Sequence, residues 1–124
     1  MDKRRLFGNA CEIAAARFLE EQGYKILAHQ FRTPLGEIDL IAGYNGELVF
    51  VEVKARRNIK FGYPEEAVDA RKLRKMVLTA ETYMEQNQII DKPFRLDIIA
   101  MLLKENNNFE IEHLIGVDVC ASEC

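Results

Sequence analysis

The stretch GEIDLIAGYNGELVFVEVKARR, Gly36 to Arg57, decides the fold. Two apolar, β-branched runs flank Asn45-Gly46, a pair that tolerates the positive φ angles of a two-residue hairpin turn. Strict alternation puts Glu37, Asp39 and Ile41 on one face of the first arm, and Ile38, Leu40 and Ala42 on the other. In the second arm Val49, Val51, Val53 and Ala55 share a face; Leu48, Phe50, Glu52 and Lys54 share its reverse. A strand this apolar reads as buried on both sides. Glu52 and Lys54 are therefore out of place, because a buried charge is costly unless it is paired or binds a metal.

The turn sets the register. If only Asn45 and Gly46 are unpaired, Asp39 lies opposite Glu52 and Glu37 opposite Lys54. Facing carboxylates repel, and a divalent cation between them removes the conflict. An acid on one strand and Glu-x-Lys on the next is the minimal equipment for metal-dependent phosphodiester hydrolysis. Asp39, Glu52 and the Val53 carbonyl are the candidate ligands for Mg²⁺ or Mn²⁺. Lys54 is the candidate catalytic cation, orienting water or offsetting negative charge on the phosphate. The competing structural account is a Glu37–Lys54 ion pair on an exposed sheet face.

Outward from the hairpin, Asn9–Gln22 reads as a helix stopped by Gly23. Cys11, Ala15, Phe18 and Leu19 form its apolar arc, with Glu12 at the border. Tyr24–Arg32 reads as a strand, and Thr33–Gly36 as the turn into the hairpin. Asn58–Tyr63 reads as a loop. A helix is expected from Pro64 to about Gln86, with Glu65 and Glu66 in its first turn and an apolar face that includes Leu73, Met76 and Ala80. Phe94–Leu103 and Phe109–Val117 complete the strands. The order helix, three strands, helix, two strands predicts an α/β domain with a mixed sheet of about five strands flanked by helices.

The 124 residues suit one domain, 1–124, and 48% hydrophobic content makes it globular. The net charge of −3 hides an asymmetry. Arg56, Arg57, Lys60, Arg71, Lys72, Arg74 and Lys75 cluster in the middle of the sequence and are the candidate phosphate contacts. Three cysteines without a C-x-x-C pair suit a reducing cytoplasm. A zinc site from Cys120, Cys124 and His113 is the weaker alternative; His29 and His113 are read as structural. No signal peptide or membrane-spanning run is expected.

With these residues in view, the chain resembles the PD-(D/E)xK nuclease superfamily. The stretches GEIDLIA, VFVEVKAR and GYPEEAV look like the YraN family, which is similar to archaeal Holliday-junction resolvases. The resemblance runs from Gly8 to about Ile99. It implies a restriction-endonuclease-like fold, metal ligation by Asp39 and Glu52, and a catalytic Lys54. Glu12 would match the early helical acid as a ligand or supporting group, Glu37 the acid of GEIDL, and Arg56 and Lys72 basic positions. Arg95-Leu96-Asp97 matches an R-F-D motif with Leu in place of Phe. Ile38 precedes Asp39 where the superfamily name has Pro, and Cys11 stands where relatives often have Gly.

The expected function is a Mg²⁺- or Mn²⁺-dependent, structure-selective DNA endonuclease in the cytoplasm. Resolving a symmetric junction would imply a homodimer. The second reading is a nucleic-acid-binding or interaction module that kept the fold without catalysis.

Overall fold

A computed structural model describes residues Asp2–Asp118. Helix α1 spans Lys3–Glu21, followed by strands β1 (Lys25–Thr33), β2 (Gly36–Tyr44) and β3 (Glu47–Arg56). A single 3-10 turn, Pro64–Ala67, precedes helix α2 (Ala70–Gln86), then β4 (Phe94–Leu103) and β5 (Phe109–Leu114). The strands form one sheet in the order β1-β2-β3-β4-β5. β3 and β4 run parallel, joined by the α2 crossover; the other neighbours are antiparallel. This mixed α/β architecture is consistent with the restriction-endonuclease-like fold.

Asn45 and Gly46 take φ of 49° and 78°, and Tyr44 pairs with Glu47, so the turn has two residues as expected. The alternation of β3 also holds. Val49, Val51 and Val53 pack under α1 with Cys11, Ala15 and Leu19, while Leu48 and Phe50 pack under α2 with Leu73, Met76 and Ala80. Burying each large side chain stabilises by about 1.5–3 kcal/mol. Two apolar layers thus clamp β3 and account for its unbroken hydrophobic run.

Three expected boundaries move. Helix α1 begins six residues earlier than Asn9, because the Asp2 side chain caps it by accepting from the Arg4 N–H (2.9 Å). The long helix from Pro64 is two elements. Asp69 adopts extended backbone and caps a fresh start, accepting from the Lys72 N–H at 2.9 Å. The last strand ends at Leu114, since the chain then turns back to the sheet: the Gly116 N–H donates to Asp97 and the Val117 N–H to the Leu96 carbonyl.

The faces of β2 also depart from strict alternation. Ile38 lies in the α2-side core with Ile41, whereas Leu40 and Ala42 lie in the α1-side core. The break falls at Asp39. On one side the β1–β2 ladder pairs His29 with Leu40 and Phe31 with Ile38 and skips Gln30 and Asp39 between them. Gln30 takes φ of 48°, a left-handed conformation uncommon for a residue with a side chain. On the other side the β2–β3 ladder ends at Leu40–Val51, one pair short of Asp39–Glu52. The N-terminal half of β2 therefore parts from β3 and opens a fork in the sheet. Among the described residues no helix is long and apolar enough to cross a membrane.

Candidate functional site

The fork is where the charged residues of the hairpin collect. A cleft of about 450 Å³ opens there, and its lining includes Glu12 of α1, Glu37 and Asp39 of β2, Glu52, Val53 and Lys54 of β3, and Lys72 of α2. Each element delivers its residue for a local reason. The early cap on Asp2 extends α1 over the fork. The parting of β2 from β3 frees Asp39 from the ladder. The fresh cap at Asp69 sets Lys72 in the first turn of α2, above Glu52.

Asp39 reaches across the fork in place of the missing ladder pair. Its Oδ2 accepts from the Val53 N–H at 2.8 Å, which sets its carboxylate beside that of Glu52. Glu52 is 4% exposed. Its Oε2 lies 3.2 Å from the Lys72 ammonium, an ion-pair distance, yet no donor meets that oxygen with hydrogen-bond geometry. A buried carboxylate oxygen left this way is rare in folded proteins. Burial, and then repulsion from Asp39, push the Glu52 carboxyl up to about 8, against the pull of Lys72.

Glu12 is strained in the same sense. Burial pushes it up to about 7; the Gln30 hydrogen bond opposes this, while Asp39 and Glu37 add repulsion. Gln30 Nε2 donates to Glu12 Oε2 at 2.7 Å. Its Oε1 in turn accepts from Arg32 at 3.4 Å, and Arg32 pairs with Glu37 at 3.3 Å. The left-handed turn at Gln30 thus ties α1, β1 and β2 together around Asp39. Cys11, also in the lining, is buried; burial pushes its thiol up to about 11, so it is no thiolate nucleophile at neutral pH.

Several expected residues fall elsewhere. Glu37 pairs with Arg32 and not with Lys54, so that particular ion pair of the competing account is not formed. Of the seven clustered basic residues, only Lys72 lines the cleft. Arg57 stacks over the Phe7 ring, 4.2 Å from its centroid, and Phe7 lines the cleft. Arg56 is half-buried at the end of β3, and Lys60, Arg71, Arg74 and Lys75 are exposed outside. His29 is exposed, whereas His113 bonds Asp97 at 2.7 Å in a structural network. Cys120 and Cys124 lie outside the described residues. Sequence reasoning missed Arg4, which also lines the cleft, and Gln30, which holds Glu12. Asp2 was the available signal for Arg4, as a helix cap; nothing local marked Gln30, whose role depends on a partner 18 residues away.

The donors facing the cleft are hard oxygens, the set that suits Mg²⁺ or Mn²⁺ and not a thiolate-seeking metal. Among the described residues no three carboxylate, imidazole or thiolate groups form a ready-made metal cage. Mg²⁺ needs none, since it commonly takes one or two carboxylates and keeps several waters. Asp39 and Glu52 meet that requirement, with Val53 in the lining beside them, and Glu52 Oε2 is held only by the Lys72 ion pair, with no donor in hydrogen-bond geometry.

Residues 11–101 match the model of "Uncharacterised protein family UPF0102". A UPF0102 protein of Lachnoclostridium phytofermentans is 46% identical over 103 residues, covering 82% of this chain and 87% of the relative. One of Bacteroides thetaiotaomicron is 45% identical over 114 residues, covering 92% and 93%. A third, from Persephonella marina, is 40% identical over 111 residues, covering 90% and 94%.

Proposed function

We propose, from the premise that the chain belongs to the UPF0102 family, that it is a Mg²⁺- or Mn²⁺-dependent endonuclease that hydrolyses phosphodiester bonds in branched or processed DNA. The observation that carries this reading is the Glu52 carboxylate, buried beside Asp39 with one oxygen lacking a hydrogen-bond donor. Perturbed carboxylates gathered in a cleft with lysines are the environment of a hydrolytic centre more than of a structural staple.

Asp39, Glu52 and the Val53 carbonyl would hold the cation, and Glu12 supports them from α1. When bound, the cation supplies a more acidic water and positive charge at the phosphate. The chain does the rest. Lys54 lies on the same strand face as Glu52, two residues on, and its ammonium orients the attacking water or offsets charge growing on the phosphate oxygens. Lys72 balances the Glu52 charge while the cleft is free of cations. Gln30 holds Glu12 by one oxygen, leaving the other for the cleft. The Val53 N–H fixes Asp39, so the two carboxylates are positioned before substrate arrives. Phosphate contacts carry no sequence information, which favours recognition of DNA shape over sequence.

The test is a Mn²⁺-supported cleavage screen over single-stranded, flapped, duplex and four-way DNA, with Asp39→Asn as control. Cleavage of one or more branched forms by the wild type alone is expected. DNA binding without cleavage of any form would favour the non-catalytic module.

A further inference from the structure

The loop that follows the Glu-x-Lys strand holds an aromatic ring out in water. Phe61 is 82% exposed, more than any other large apolar side chain among the described residues, and Ile59 and Tyr63 beside it are about half exposed. This is not a slack loop. The Asn58 side chain accepts from the Lys60 N–H at 3.0 Å, and the Ile59 carbonyl from the Gly62 N–H at 3.0 Å. Gly62 takes φ of 105°, and a Cβ there would meet Glu66 Oε2 at 2.9 Å. Glu66 in turn accepts from the Tyr63 N–H at 3.3 Å, and Pro64 at the far end is buried. These bonds hold the loop on both sides of Phe61, whose ring stands in water.

The ring's neighbours narrow the occupant. The loop itself carries the cations Arg56, Arg57 and Lys60; of the acids near it, Glu66 is turned back onto the Tyr63 N–H and Glu110 is paired with Lys104 at 2.8 Å, while Glu65 and Glu105 lie at its edges. Arg57 packs on Phe7, so the loop is continuous with the wall of the carboxylate cleft. A partner that is anionic along its backbone and presents flat apolar faces fits such a surface. We propose that Phe61 is a stacking platform for an unpaired base of single-stranded DNA, whose adjoining phosphates run past Arg57 and Lys60 toward the cleft. This rests on the endonuclease reading for the position of the scissile phosphate, and it narrows the substrate to DNA with an unpaired nucleotide beside the cleaved bond.

The experiment is a binding titration in EDTA, which prevents cleavage. The probes are a twelve-nucleotide single strand carrying 2-aminopurine and a relaxed closed-circular duplex without unpaired bases. The wild type should change the 2-aminopurine fluorescence on binding. Phe61→Ala should bind the single strand about tenfold more weakly, with duplex affinity within twofold of wild type, and Phe61→Trp should retain both the affinity and the fluorescence change. Equal affinities of wild type and Phe61→Ala for the single strand, or equal losses on both probes, would overturn the proposal. So would a Phe61-dependent shift in sedimentation without DNA, which would assign the ring to contact with a second copy. Phe61-dependent binding by a protein that cleaves nothing with Mn²⁺ would leave the platform standing and remove the endonuclease. Cleavage that ignores Phe61 would do the reverse.

Discussion

Asp97 and Glu52 are buried carboxylates on adjacent parallel strands, one residue apart in register, and they meet opposite fates. Asp97 on β4 is fully buried and fully answered. It accepts from Arg95 Nε at 3.0 Å, from the Gly116 N–H at 3.0 Å, and its Oδ2 lies 2.7 Å from His113 Nε2. Burial alone would push its carboxyl up, but these partners overcome burial and hold it below the usual range. Arg95 extends the network to Tyr24 at the end of α1 and to Glu47 at the hairpin. Glu52 on β3 has one lysine at ion-pair distance from its Oε2, no donor in hydrogen-bond geometry at that oxygen, and a second carboxylate beside it. The same chemical group is a staple where donors outnumber it and a site where they do not. Charge alone does not distinguish the two; the count of partners does.

The largest effect that would break this contrast is at the staple. Asp97→Asn should destabilise the protein by about 3–5 kcal/mol, because it removes the buried charge shared by Arg95, His113 and the Gly116 N–H and leaves Arg95 with Glu47 alone. Urea unfolding at pH 7 measures it, and a loss under 1 kcal/mol would show that Asp97 is no staple. The contrast has a pH signature as well. The folded-state pKa of Asp97 is lowered, so its contribution is complete above the unfolded value near 3.8 and is lost as pH falls through the folded one. The wild type should lose this share of its stability only in acid, and the variant should have no such share to lose.

Next in size is a change at the site that leaves the fold alone. Lys54→Ala should slow Mn²⁺-supported cleavage by about 10²–10³-fold with metal affinity nearly unchanged, since Lys54 is no ligand. Calorimetric titration beside a cleavage assay separates the two. Parallel loss of binding and cleavage would make Lys54 a prop for the carboxylates.

The smallest effect is the sharpest discriminator. Asp39→Asn keeps an oxygen for the Val53 N–H and removes a charge facing Glu52 and Glu12. In EDTA at neutral pH it should melt slightly higher than wild type, in line with the roughly 0.2–1 kcal/mol of a cross-strand charge pair. Mg²⁺ should raise the wild-type melting temperature by mass action and do little for the variant. A variant that melts lower, with a wild type indifferent to both cations, would put Asp39 in the same class as Asp97.

Much of the architecture was legible in the residues. Asn45-Gly46 placed the turn, and two-sided hydrophobicity marked β3 as a central strand. The misplaced Glu52 and Lys54 pointed to the cleft before any fold was known. Helix starts were less legible, because Asp2 and Asp69 act as caps only once the residues after them are helical. The alternation of β2 failed at Asp39, where two ladders lapse at once. Asp97 appeared only as part of a motif, with nothing in Arg95-Leu96-Asp97 to mark it as the centre of a network reaching Tyr24, Glu47 and His113.

The sequence by itself determined the features whose energetics are local: the hairpin turn, with both φ angles set by two residues, and the strand periodicity that follows from it. Only the tertiary structure decided which carboxylate is satisfied. Glu52 and Asp97 are each flanked by apolar residues on a buried strand, and the partners that separate them arrive from elsewhere, Lys72 from α2, Asp39 from β2, His113 and Gly116 from β5 and the turn beyond it. A buried charge is stabilised or left strained by donors within a few ångströms in space, and spacing along the chain does not encode that distance.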